Sequence, residues 1–251
     1  GIFNQSRILP EVNIEDLKSV ETAVKSVEPD VIINAVGVIK QIPTATDVVK
    51  TLMVNAVFPH QLAEAANRFG ARLITISTDC VFSGKSGKYN EADTPDATDL
   101  YGKSKNLGEV ATENCITLRT SIVGRELDSA HGLVEWFLSN EGKSVKGFTK
   151  AVFSGFPTLI LAEIIADLIE NQPNLRGLFH VSSEPINKYD LLESVKKAYG
   201  ANVEIEPFDD FVIDRSLDST KFRAATGFRP TSWEEMIDRM AADNAAYQKY
   251  K

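Results

Sequence analysis

Short apolar runs alternating with longer amphipathic stretches set the fold of this chain. Val31-Ile-Ile33 follows Pro29-Asp30, Arg72-Leu-Ile-Thr-Ile76 follows Gly70, and Cys115-Ile-Thr-Leu-Arg119 follows a polar turn. Runs this short and this apolar suit strands buried on both faces, the kind a parallel sheet needs because crossover helices cover it on either side. Residues 46–69 lie between the first two runs. They place Leu52, Ala56, Leu62, Ala63 and Ala66 at helical spacing and stop before Gly70, which predicts a helix, kinked at Pro59. Residues 100–113 predict another. Strand and helix in regular alternation give an α/β fold with a doubly wound parallel sheet.

Beyond Ser121 the rhythm weakens. Residues 132–139, 159–171, 188–199 and those from about 232 read as helices, 177–181 and 204–206 as strands, and 207–230 as a turn-rich stretch. With no low-complexity linker and no internal repeat, this predicts a smaller α+β lobe beside the sheet domain. The expected division is 1–124 for the sheet domain, with 158–182 returning to it, and 125–157 plus 183–251 for the lobe. Dinucleotide-binding sheets normally open with a strand and a glycine-rich turn whose amides hold the pyrophosphate. Here the expected third strand is reached by Val31, so the reading is that this N-terminal strand and turn are missing from the sequence as given.

The chain has 251 residues, 43% of them hydrophobic and 25% charged, enough for a sizeable core and one or two domains. No run approaches the roughly 20 apolar residues of a membrane span, and Gly1-Ile-Phe-Asn-Gln-Ser-Arg7 lacks the layout of a leader, so no membrane partner and a cytoplasmic setting are expected. The net charge of −8 argues against nucleic acid, which needs a basic stripe. Cys80 and Cys115 form no framework, and His60, His131 and His180 are scattered, so no metal is expected.

Chemistry enters at Tyr101 and Lys105, in Asp99-Leu-Tyr-Gly-Lys-Ser-Lys105. Residues four apart share a helix face, so the ammonium can lie beside the phenol and is expected to pull its pKa of about 10 toward neutrality, making it a proton donor at pH 7. The spacing recurs at Tyr247 and Lys251, among polar residues typical of a solvated helix end. Only Tyr101 follows an expected buried strand with hydroxyls at its end, Ile76-Ser-Thr-Asp79.

Taken in order, Asn34-Ala-Val-Gly37, Val54-Asn-Ala56, Ile76-Ser-Thr-Asp-Cys-Val-Phe-Ser-Gly84, Tyr89-Asn-Glu91, Tyr101-Gly-Lys-Ser-Lys-Asn-Leu-Gly-Glu109 and Leu118-Arg-Thr-Ser121 resemble the extended short-chain dehydrogenase/reductases, in particular their dTDP-4-dehydrorhamnose reductase branch. The resemblance implies a Rossmann-like sheet domain, NADPH or NADH as cofactor and a nucleotide-sugar substrate. It makes Thr78, Tyr101 and Lys105 catalytic: Tyr101 the proton donor, Lys105 its electrostatic partner and a hold on the nicotinamide ribose, and Thr78 a second hydrogen bond to the substrate carbonyl. Asn34, Ala35, Val36, Gly37, Asn55, Ser77, Thr120 and Ser121, with Tyr101 and Lys105, would line the cofactor. Asp79, Cys80 and Val81 would face the substrate. Taken singly these residues have plain structural uses: Ser77 and Thr78 can end a strand, Gly37 can be a loop glycine, and Lys105 and Asn55 can be solvated on helices.

Dehydratases of the wider family carry an acidic pair after the threonine, whereas here Asp79 is followed by Cys80, whose neutral thiol is a poor base at pH 7. Elimination is therefore disfavoured. For a diphosphate-linked sugar the second half offers Arg125, Lys146, Lys150, Arg215 and Arg223, with Arg215 first because arginine grips diphosphates bidentately. Phe153 is a candidate sugar-facing wall. Asn13 stands where the family usually has an aspartate toward adenine. The expected activity is reduction of a keto group on a nucleotide-linked deoxysugar. An epimerase, or a regulatory subunit that keeps the fold without catalysis, remains open, as do a homodimer and the choice between NADH and NADPH.

Overall fold

A computed structural model of the chain describes residue 9 and residues 12–40, 43–127 and 130–248. The reading of residues 1–7 and the lysine of the Tyr247 pair lie outside these. In chain order come α1 (Leu17–Val27), β1 (Val31–Asn34), α2 (Val48–Leu52), α3 (Phe58–Arg68), β2 (Arg72–Thr78), α4 (Leu100–Leu107), β3 (Cys115–Thr120) and β4 (Ile122–Val123). The second half continues with α5 (Leu133–Leu138), β5 (Ser144–Phe148), β6 (Ala151–Phe153), β7 (Phe156–Pro157), α6 (Thr158–Glu170), β8 (Gly177–His180), β9 (Ile186–Asn187), α7 (Lys188–Tyr199), β10 (Glu204–Phe208), β11 (Ile213–Asp214), α8 (Thr220–Thr226), α9 (Trp233–Ala242) and α10 (Asn244–Gln248). Among the described residues no helix is long and apolar enough to cross a membrane.

Two compact units result. The first takes in the described residues up to Val81, Pro95–Arg119 and Asn174–Phe179. Its four-stranded sheet runs β1-β2-β3-β8, with Val31 to Asn34 of β1 registered in parallel on Arg72 to Thr75 of β2. Every residue of β3 is buried and all but one of β2, as expected of inner strands covered on both faces. Val20 and Val24 of α1 meet Phe58, Leu62 and Ala66 of α3 over Leu73 and Cys115, which anchors one helical layer to the sheet.

The second unit comprises Phe82–Thr94, Thr120–Pro173 and the described residues from His180 onward. It holds three small sheets: β5 with β10, β6 between β11 and β9, and β4 with β7. Its core gathers Phe137 of α5, Leu191, Leu192 and Val195 of α7, Ile205 of β10, and Ile237 and Met240 of α9. This division differs from the expected one at residues 82–94, 120–124, 158–173 and 180–182, while 174–179 lie with the sheet. Helix α6 packs on β4, β7 and α9 in the second unit instead of returning to the sheet, because Ile160, Leu161, Ile164 and Leu168 find their apolar neighbours there. Residues 82–94 leave the first unit because the Phe82 ring stacks on Tyr89, centroids 4.2 Å apart, and Tyr89 pairs with Leu217.

Within residues 46–69 the irregularity falls before Pro59. A π-helical turn, Met53–Val57, separates α2 from α3, and Pro59 sits in the first turn of α3, where no intrahelical N–H is required of it. The helix expected over 100–113 ends at Leu107.

Candidate active site

Two ends converge in the first unit: the C-terminal end of β2 and the N-terminal half of α4. Strand β2 ends at Thr78 and turns at once into a 3-10 turn, Asp79–Val81. The Thr78 hydroxyl donates to Asp79 Oδ1 at 3.2 Å and accepts from the Cys80 amide at 3.1 Å, fixing the side chain at the turn. Asp99 caps α4 by accepting from the Gly102 amide at 3.0 Å, and pairs with Lys40 at 3.0 Å. Lys40 Nζ also lies 5.5 Å from the centroid of the Tyr101 ring.

Gly102 sets how closely these ends approach. A Cβ there would lie 2.3 Å from the Cys80 carbonyl oxygen and 2.5 Å from Ala97 Cβ, so only glycine lets α4 rest on the turn. Tyr101, its neighbour, is thereby set close enough to Thr78 for the threonine side chain to favour its phenolate. One turn further along α4, Lys105 is buried and its Nζ donates to the Ile76 carbonyl at 2.8 Å.

Asn55 fastens α4 from the other side. Buried to 1% exposure on the π-helical turn, it accepts from the Val38 amide at 2.8 Å and donates to the Val38 carbonyl at 2.9 Å and to Ser104 Oγ at 3.1 Å. Ser104 in turn donates to the Tyr101 carbonyl at 2.9 Å. The solvated reading of Asn55 is thus replaced by a buried tie between the loop after β1 and the tyrosine helix. At Gly108, where α4 ends, an added Cβ would sit 1.9 Å from the Asn55 carbonyl oxygen, so only glycine lets the chain pass directly over the π-helical turn.

The electrostatics correct one expectation. The Tyr101 phenol is not drawn toward neutrality but held above its ordinary pKa, first by burial, then by the field of Cys80, with Asp79 and Asp99 adding to it and the Thr78 hydrogen bond opposing. Lys105 is not among the groups that act on the phenol: its own amine is pulled down from 10.5 to about 8 by burial, with Glu109 pushing back, and it is aimed at a backbone carbonyl.

At the end of β1, Asn34 is buried and its Oδ1 accepts from the Val36 amide at 3.2 Å, while its Nδ2, also buried, has no partner among the described residues. Ala35, Val36 and Gly37 are exposed. A donor without an acceptor, beside an open loop at the carboxyl end of a parallel strand, fits the polar rim of a dinucleotide. Space alone does not require glycine at 37, where a Cβ would meet only Asn55 Oδ1 at 3.4 Å. Asn13 accepts from the Glu15 amide at 3.0 Å, an exposed turn just ahead of α1. Ser77 donates to Glu109 at 2.7 Å, so its hydroxyl is engaged within the protein. Val81 is wholly buried, whereas Cys80 is half-buried beside Thr78.

The remaining residues belong to the second unit. The Thr120 hydroxyl makes a long 3.5 Å contact to the Ser121 carbonyl, which also accepts from the Phe156 amide at 2.9 Å. Arg125 is held by Glu135 and Asn244 and lies 5.7 Å from the Tyr199 ring centroid, so its charge is spent inside the unit. Phe153 is buried against Trp233, centroids 5.5 Å apart, in the unit's core and not on a wall. Lys146 lies over Phe208, Lys150 pairs with Asp209, and Arg223 with Glu184. Arg215 differs: Nε donates to the Phe82 carbonyl at 3.0 Å, and among the described residues the terminal nitrogens of the fork have no acceptor.

The sequence reading assigned no role to Glu109 or Arg119. Glu109 Oε1 accepts from Ser77 and, at 2.7 Å, from Arg119 Nε, while Oε2 accepts from Arg119 Nη2 at 2.7 Å. The signal was present: an arginine inside a strand buried along its whole length needs a buried acid.

A family model described as "RmlD substrate binding domain" matches residues 3–246. The chain is 28% identical over 258 residues to the dTDP-4-dehydrorhamnose reductase of Aggregatibacter actinomycetemcomitans, covering 92% of this chain and 87% of that one. It is 26% identical over 269 residues to the methionine adenosyltransferase 2 subunit beta of Mus musculus, covering 91% and 77%. A crystal structure of dTDP-4-dehydrorhamnose reductase from Bacillus anthracis in complex with NADP shares the fold, with TM-score 0.81, 22% identity and coverage of 95% and 93%. Sheet, motifs and family model agree: this chain belongs to the RmlD substrate-binding-domain family, the dTDP-4-dehydrorhamnose reductase-like branch of the extended short-chain dehydrogenase/reductases, built on a Rossmann-like fold.

Proposed function

We propose that this protein is an NAD(P)H-dependent reductase of a keto group on a nucleotide-diphosphate-linked deoxysugar. The observation that carries the reading is Tyr101, half-buried and set beside Thr78, sharing a helix with a buried Lys105. The Aggregatibacter relative, named as such a reductase, supports it. A bound nicotinamide supplies the hydride. Tyr101, kept protonated by burial, gives its proton to the carbonyl oxygen as that oxygen becomes an alkoxide, so hydride and proton together make the alcohol. Thr78 orients the same oxygen, a hydrogen bond that strengthens as charge develops. Lys105 compensates the phenolate left behind, and Asn34 Nδ2 offers the cofactor a donor. Arg215 would grip the diphosphate with the open end of its fork. The setting proposed is cytoplasmic, with the protein acting alone or as a homodimer.

The test is turnover of a dTDP-linked 4-keto-deoxysugar followed by loss of reduced nicotinamide. Tyr101→Phe is expected to lower kcat about 10²- to 10⁴-fold with the folded state intact, and unchanged turnover would refute the assignment. Net consumption of NAD(P)H separates a reductase from an epimerase. The Mus musculus relative is named as a subunit of another enzyme, which favours a second reading as a binding subunit. Dinucleotide binding without turnover on any keto-sugar would select that reading.

A further inference from the structure

We propose that Glu109 is a positioning residue that fixes Lys105 against the end of β2 and holds its amino group in the ammonium form. The proposal rests on the reading of Tyr101 and Lys105 as the catalytic pair. Its geometry is a clip. Lys105 reaches β2 at the Ile76 carbonyl, and Glu109, just beyond the end of α4, reaches the next residue of β2 through the Ser77 hydroxyl. Arg119 of β3 grips both carboxylate oxygens, so the acid is held by two neighbouring strands, with side chains only 4% and 10% exposed for Arg119 and Glu109. A carboxylate gripped in this way keeps one position relative to the buried amine, whose protonation it favours.

That charge has work to do. Burial favours the neutral amine, and Glu109 opposes it. The other charged or titratable groups near the site are Tyr101 and Asp99 at the start of α4, Asp79 and Cys80 on the 3-10 turn, Lys40 on the loop after β1, and Arg119 on β3, whose charge works against protonation of Lys105. An ammonium is what the catalytic reading requires of Lys105, since a neutral amine cannot offset a phenolate.

The test reads Lys105 directly and needs neither substrate nor cofactor. Lysines of the full chain are labelled with trace acetic anhydride at a series of pH values, and the modification of Lys105 is quantified by mass spectrometry. The midpoint is expected near pH 8 in the unaltered protein. Glu109→Gln should lower it by about one unit, the small end of the effect of one nearby opposite charge, so labelling at pH 7 rises about fivefold; Glu109→Asp should restore most of it. If Glu109 served only to hold the fold, its loss would hydrate the amine and move the midpoint up toward 10.5. An upward shift, or none, overturns the proposal. Should Glu109→Gln fail to fold, the Glu109→Gln/Arg119→Met variant removes the buried pair without stranding a charge; because the opposing charge of Arg119 goes with it, a smaller downward shift is required of it. Turnover of Tyr101→Phe is a separate measurement, so a failed reductase reading and a failed role for Glu109 cannot be confused.

Discussion

At the scale of single residues, two glycines do what no motif announces. Gly102 lets Tyr101 approach the Thr78 turn, and Gly108 lets the chain pass over Asn55. Gly108→Ala should destabilise the protein by about 2 kcal/mol or more, as overpacking a filled site does, seen as a lower urea midpoint with unchanged slope. Lys105 carries the pH dependence. Its amine titrates at about 8, so kcat/KM for the proposed reduction should be flat through neutral pH and fall as pH rises past that value. The phenol, raised by burial, stays protonated across that range. A profile that instead falls only near 10 would show that Lys105 does not limit the reaction. Tyr101, Thr78 and Lys105 were legible because hydroxyl, phenol and amine sit at fixed spacings along the chain. The raised phenol was not, because desolvation depends on what packs above the ring.

At the scale of elements, the end of β2 and the start of α4 form one construction, tied by Lys105 to Ile76, Glu109 to Ser77, and Asn55 to Ser104. The buried lysine strains it. Its folded pKa lies below the unfolded value, so between about pH 8 and 10.5 the unfolded chain binds the extra proton and stability rises with pH. Lys105→Met should abolish that rise, so the difference in urea midpoint between variant and parent shrinks from pH 7.5 to 10. Asn55→Ala should cost about 1–3 kcal/mol by stranding the buried polar groups of Val38, measurable by thermal or urea unfolding. Strands β1, β2 and β3 and helix α7 were readable from apolar runs and from the Gly200 stop. The two-residue strands β4, β7, β9 and β11 were not, since pairs so short exist only where a distant partner lies beside them.

At the scale of the whole molecule, a dinucleotide that binds only the folded chain must stabilise it. Adding NADPH at 100 times its Kd should contribute about 2.7 kcal/mol and raise Tm by roughly 5–10 °C for a protein of this size. No shift with either NADPH or NADH would argue against the cofactor. The sequence alone determined the α/β class, the inner strands and the order Thr78, Tyr101, Lys105, because hydrophobic period and residue spacing are local properties that survive in the linear chain. Only the tertiary structure decided that α6 joins the second unit, that Arg125 and Phe153 are spent in its packing, and that Glu109 faces Ser77 and Arg119. Those outcomes depend on which buried charge or apolar face finds its complement, and the complement lies ten to more than a hundred residues away along the chain.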